Sequence, residues 1–119
     1  MSLLPPEDED NEGIEVAWED QQRINTFSKL NNRLSDIQDQ LKAKQDEKEY
    51  YDDLSTDLEL ADEDQPVLYR MGEAFLYLSL YAAKKQLKVD LKRYKVDIGA
   101  LEDRARECED GMRDLKVVL

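Results

Sequence analysis

The sequence predicts a mainly α protein: a long antiparallel two-helix coiled coil with a β-hairpin inserted between the helices. Three observations lead there. From Leu87 through Leu91, Tyr94, Ile98, Leu101, Ala105, Cys108, Met112 and Leu115 to Leu119, apolar residues recur at alternating spacings of four and three, the heptad pattern that holds one stripe of a helix against a partner. An earlier heptad runs through Phe27, Leu30, Leu34, Ile37 and Leu41 to Tyr51 and Leu58. Between the two, from Gln65 to Tyr81, the pattern changes to β-branched, aromatic and aliphatic residues around the single Gly72, which reads as two strands and a turn.

Taken in order, residues 1–13 hold Pro5-Pro6 and the acidic run Glu7 to Asp10 and are expected to be a disordered acidic tail, with residues 14–119 as the one domain. Asp8, Asp10, Glu12, Gly13 and Glu19 fall at the ligand spacing of an EF-hand loop, but two prolines prevent an entering helix and the apolar position of the loop is the charged Glu15, so a solvated tail is expected rather than a calcium site. Ile14, Val16 and Trp18 alternate like a short extended approach. The first helix is expected over 18–61, with Glu19 and Asp20 complementing its dipole. Lys44, Lys48 and Ser55 interrupt its seam, with Tyr50 and Leu54 on a neighbouring stripe. The acidic run Ala61 to Asp64 and then Pro66 stop the helix.

The hairpin is expected over 65–81, with strands Val67 to Met71 and Phe75 to Leu80, and the second helix over 82–119 with Gly99 and Gly111 off its seam. At about 1.5 Å per residue the helices reach roughly 65 and 55 Å. They match well enough to fold back on each other, with both termini at one end and the hairpin at the other.

Composition excludes most chemistry. A net charge of −12 argues against nucleic acid and against an anionic membrane surface. There is no histidine and one cysteine, Cys108, which removes the usual triads, most zinc sites and any intrachain disulfide. No glycine-rich phosphate loop exists, no metal or cofactor is expected, and a two-helix seam offers no cleft for a carboxylate pair; an enzyme is not expected. No apolar run is long enough to span a bilayer, and the acidic start resembles no signal or transit peptide. A cytoplasmic protein, with a nuclear pool as the other reducing setting, is expected.

What remains is apolar surface. Val67, Leu68, Tyr69, Met71, Phe75, Leu76, Tyr77 and Leu78 make the hairpin apolar on both faces, and a lone hairpin has open edges that invite pairing. Subunit assembly and a turn that merely closes the coiled coil are the two readings. Ile14, Val16, Trp18, Ile24 and Phe27 with Leu115, Val118 and Leu119 form a second group at the termini, read either as a tip that grips exposed apolar segments of other chains or as ordinary seam packing. A structural coiled-coil spacer or adaptor forming a homo-oligomer is the rival to both assignments.

The run Trp18-Glu19-Asp20-Gln21-Gln22-Arg23-Ile24-Asn25, the acidic Leu60 to Asp64, the Met71-Gly-Glu-Ala-Phe75 turn, and Ile98-Gly-Ala-Leu-Glu-Asp103 together resemble the β-class subunits of the prefoldin family over roughly residues 14–119. Ala17 departs, standing where a capping threonine is common, and sequences of that kind usually continue past the position of Leu119. The resemblance implies a prefoldin-like fold and a hexamer of two α-class and four β-class subunits, with hairpins joined into β-barrels. It further implies coiled-coil tips that hold non-native proteins such as nascent actin and tubulin and pass them to the cytosolic group II chaperonin without ATP. On this reading the hairpin residues build the barrel and the terminal apolar residues border the client site.

Overall fold

A computed structural model describes the backbone of residues 4–115 and the side chains of residues 12–115. The order is α1 (Leu4–Glu59), β1 (Val67–Met71), β2 (Ala74–Leu78) and α2 (Leu80–Asp114). Two long helices thus bracket one antiparallel two-stranded sheet, the element order the heptads and the interrupted middle predict.

The helix ends differ from expectation, each for a local reason. α1 begins at Leu4 rather than Trp18, so the expected disordered tail and extended approach are helical over the described residues. Pro5 and Pro6 fall in the first turn, where a missing N–H breaks no hydrogen bond. Glu7 to Asp10 lie close behind, where negative charge suits the helix dipole. At its other end α1 stops two residues short of Ala61. Backbone bonds from Leu60 N to Asp57 O and from Ala61 N to Leu58 O tighten the last turn. α2 begins two residues earlier than Ala82. Ser79 is its cap: its Oγ accepts from Ala82 N at 3.1 Å while its carbonyl accepts from Ala83 N at 2.8 Å, the N-cap geometry that serine favours.

The chain divides into two compact units. One comprises Asp39–Glu102. Its core is Tyr51 and Leu58 from α1, Tyr69 from β1, and Leu80, Ala83, Leu87 and Tyr94 from α2, with Leu54, Val67, Leu78 and Leu91 packed around them. The Tyr51 and Tyr94 rings stack with centroids 5.4 Å apart. Lys44 occupies its expected seam position because its ammonium has somewhere to go: it lies 5.4 Å above the Tyr94 ring and 3.8 Å from Asp97 of α2. α1 and α2 therefore run antiparallel in this unit.

The other unit comprises Met1–Gln38 and Asp103–Leu119. Ile37, Ala105 and Cys108 are buried there, and Phe27, Leu30 and Leu34 are half-buried. Gly111 corrects the expectation that it lies off the seam. A methyl group on it would sit 3.1 Å from Leu30 Cδ1, so glycine lets the two helices approach at that point.

The hairpin pairs Val67 with Leu78, Leu68 with Tyr77, Tyr69 with Leu76, Arg70 with Phe75 and Met71 with Ala74. Gly72 and Glu73 form the loop, with Gly72 at φ +63°, a left-handed conformation that a Cβ disfavours by about 1–2 kcal/mol. Gly72→Ala should therefore destabilise the fold by that amount; an unchanged unfolding midpoint in urea, followed by circular dichroism, would show that the loop tolerates a side chain.

Candidate functional site: the hairpin and the open stretch of α1

Alternation along β1 and β2 gives the hairpin two chemically different faces. Val67, Tyr69 and their partners Leu76 and Leu78 share one face; Leu68, Arg70, Phe75 and Tyr77 share the other. Tyr69 has no exposed surface and Val67 and Leu78 are half-buried. Val67 and Leu78, expected at a subunit interface, keep part of their surface open, whereas Tyr69, expected there too, is enclosed within its own chain. The reason is a polar anchor: Tyr69 Oη donates to Asp90 Oδ2 of α2 at 2.5 Å. Asp90 is itself buried, and its other oxygen accepts from Gln86 Nε2 at 3.2 Å with the Arg93 guanidinium 3.4 Å away. A second tyrosine ties the same strand to α1, Tyr51 Oη donating to the Arg70 carbonyl at 2.7 Å.

Burial, reinforced by the hydrogen bond to Asp90, drives the Tyr69 hydroxyl far above the usual tyrosine range. Burial and the Glu47 carboxylate push Tyr94 up to about 12, and Tyr51 is raised by burial and by Asp90. The site is thus a protonated tyrosine cluster, with Asp90 beside Tyr69 and Tyr51 and Glu47 beside Tyr94. Sequence reasoning missed Asp90, although a signal existed: it stands three residues after Leu87 and four before Tyr94, on the seam stripe itself.

The opposite face stays open. Leu68, Phe75 and Tyr77 are exposed, the last two by 55% and 73%, and Met71 and Leu76 near the turn are exposed as well. Leu60 and Tyr81, which the sequence reading left out, add two further large exposed apolar residues before and after the hairpin.

In the other unit Ile14, Val16, Trp18 and Ile24 are exposed, while Phe27 and Leu115 are half-buried; Val118 and Leu119 lie outside the described residues. Because α1 is already helical here, the alternation of Ile14, Val16 and Trp18 does not put them on one side. At about 100° per residue Ile14 and Trp18 share a face, and Val16 lies on roughly the opposite one. Among the described residues no helix is long and apolar enough to cross a membrane.

The helix–hairpin–helix frame carries exposed large apolar residues in both of its units. A family model described as "Prefoldin subunit" matches residues 21–119. The chain belongs to the prefoldin subunit family. It is 40% identical over 119 residues to prefoldin subunit 4 of Saccharomyces cerevisiae, covering all of this chain and 91% of that protein. It is 30% identical over 109 residues to prefoldin subunit 4 of Homo sapiens, covering 91% of this chain and 81% of that one. The prefoldin β subunit from Thermococcus strain KS-1 shares the fold, with a TM-score of 0.71 over 97% of this chain and 90% of that chain at 17% identity. Prefoldin subunits are chaperone components, and the family implies assembly with other prefoldin subunits.

Two measurements test the anchor. Tyr69→Phe removes a hydrogen bond to a charged group and should cost about 1.5–3 kcal/mol, read as a lower urea midpoint; a double-mutant cycle with Asp90→Asn should be non-additive, and strict additivity would mean the pair does not couple. The raised tyrosines also set a pH limit. Their folded values lie above the roughly 10 of an unfolded tyrosine, so their stabilising effect is full below that pH and is lost as pH rises through the folded values, near 12 for Tyr94. Thermal midpoints should hold to about pH 9.5 and fall above it, less steeply in Tyr94→Phe.

Proposed function

We propose that the chain is an ATP-independent holdase subunit of a hexamer of two α-class and four β-class prefoldin subunits. Leu68, Met71, Phe75, Leu76 and Tyr77 join the sister hairpins in the assembled platform. Ile14, Val16, Trp18 and Ile24, with the half-buried Phe27 and Leu115 and the C-terminal Val118 and Leu119, border the site that holds non-native proteins such as nascent actin and tubulin. The held protein passes to the cytosolic group II chaperonin, which places the work in the cytoplasm.

One observation carries this reading. Each of the two units leaves large apolar side chains open that its own packing does not cover, and exposed apolar surface beyond scattered single residues marks interaction sites. The hairpin surface suits permanent assembly because open strand edges adjoin it. The α1 surface suits transient capture, because a few apolar contacts per subunit give weak binding that several subunits multiply. The exposed acids of both helices keep such a complex soluble.

The chain should enter a hexamer when mixed with its five sister subunits, as seen by sedimentation velocity. Phe75→Asp with Tyr77→Asp should abolish entry while leaving helicity intact, since both side chains are exposed in the free chain. Ile14→Ser with Trp18→Ser should leave the hexamer whole and weaken its suppression of denatured-actin aggregation. A stable homodimer indifferent to the sisters would favour the spacer or adaptor instead, and unaltered aggregation suppression by the second variant would remove the client role from α1.

A further inference from the structure

More than half of the chain's net negative charge is concentrated near the start of α1. Residues 1–28 hold eight acids and a single base, Arg23, a net −7 of the chain's −12. The exposed apolar side chains Ile14, Val16, Trp18 and Ile24 share that stretch. Charge and apolar surface therefore coincide on the part of the helix assigned above to clients.

The two are ordered along the helix. Glu12, Glu15 and Glu19 follow at spacings of three and four, which lines them up as one stripe. Ile14 and Trp18, four apart, form a second stripe beside it, and Glu15 neighbours Trp18 at a spacing of three. All five side chains are exposed, Trp18 by 64%. Like charges at these spacings disfavour the helix that carries them. The chain offsets this only at one end: Arg23 comes within 3.9 Å of Glu19, and its closer partner is Asp20 at 2.7 Å. Among the described residues neither Glu12 nor Glu15 forms an ion pair.

We infer that this stretch of α1 selects non-native segments in which arginine or lysine accompanies aliphatic residues. The cation is held by Glu15 and Glu19 beside the Trp18 ring, and the aliphatic side chain lies on Ile14. The inference rests on the reading of this stretch as a client site and names the chemistry of the client. The site's own charge and its exposed ring select that occupant. Unpaired carboxylates attract a cation and repel an acid. An indole face takes a cation, arginine more often than lysine, and a planar guanidinium suits both the ring and a carboxylate. A purely aliphatic segment would strip water from the carboxylates without replacing it, which costs energy.

Fluorescence anisotropy with the assembled six-subunit hexamer tests this, using labelled peptides in which leucine alternates with arginine, lysine, glutamine or glutamate. The arginine peptide should bind several-fold more tightly than the glutamine peptide, with lysine between them and glutamate weakest, and the spread should narrow as salt rises. Glu15→Gln with Glu19→Gln in this subunit should cut the arginine-to-glutamine ratio several-fold. Trp18→Leu, which keeps an apolar side chain and removes the ring, should erase the advantage of arginine over lysine. Equal binding of the arginine and glutamine peptides by the wild type would overturn the inference. So would a ratio untouched by the Glu15 and Glu19 substitutions, which would place charge selection on other subunits. If Ile14→Ser with Trp18→Ser leaves every peptide's affinity unchanged, the client reading of α1 fails and this inference with it. If that variant loses binding while the wild type shows no charge preference, this inference alone fails.

Discussion

The hydrogen bond from Tyr69 to Asp90 is the contact on which the rest of this structure depends. A two-stranded hairpin has too little apolar surface to hold itself in water, so its position must come from the helices. Apolar packing alone is non-directional and would admit several placements of a small sheet on a leucine seam. A buried carboxylate is directional, and leaving it unpaired costs several kcal/mol. Gln86 and Arg93 of α2 itself hold one oxygen of Asp90, and the other is satisfied when Tyr69 reaches it. Tyr51 adds a second constraint by holding the Arg70 carbonyl. One strand is thereby tied to both helices.

Fixing one face determines what the other can do. Because side chains alternate, committing Tyr69 and Val67 inward turns Leu68 outward, and cross-strand register turns Phe75 and Tyr77 with it. A slip of one residue would bury Leu68 and Arg70 and expose Tyr69, losing both the anchor and the open face. The polar contact inside the chain and the apolar surface outside it are therefore one constraint seen from two sides. The same logic accounts for Gly72, whose left-handed backbone closes the loop in two residues and keeps the register.

The architecture was legible in the sequence wherever a periodic signal was present. The heptads through Ile37, Tyr51, Leu58, Leu87, Tyr94 and Cys108 identify residues that are buried, and Gly72 marks the turn. Asp90 was not legible as a core residue because its type argues against burial; only its phase on the helix points inward. Tyr69 was placed correctly in β1, but its contact with Asp90 was not legible, since a tyrosine on an apolar strand carries no sign of which partner its hydroxyl will find. The early start of α1 was obscured by Pro5-Pro6, which break a helix interior yet are tolerated in a first turn. Ile14, Val16 and Trp18 read as an alternating strand for the same reason: period two over five residues is too short to outweigh a helix that begins before them.

Two kinds of exposed apolar surface then call for different energetics. At the hairpin, the residues sit on a backbone that the tyrosine anchors hold in place, so a partner meets a preorganised surface and little conformational entropy is lost on contact. Along the beginning of α1, Ile14 and Trp18 project from one side of the helix and Val16 from the other, so no single rigid patch is presented. On the proposed reading, that arrangement serves apolar segments of varying sequence better than one specific interface. The Tyr69–Asp90 contact orients the hairpin surface, whereas the helical path of α1 alone sets the directions of Ile14, Val16 and Trp18.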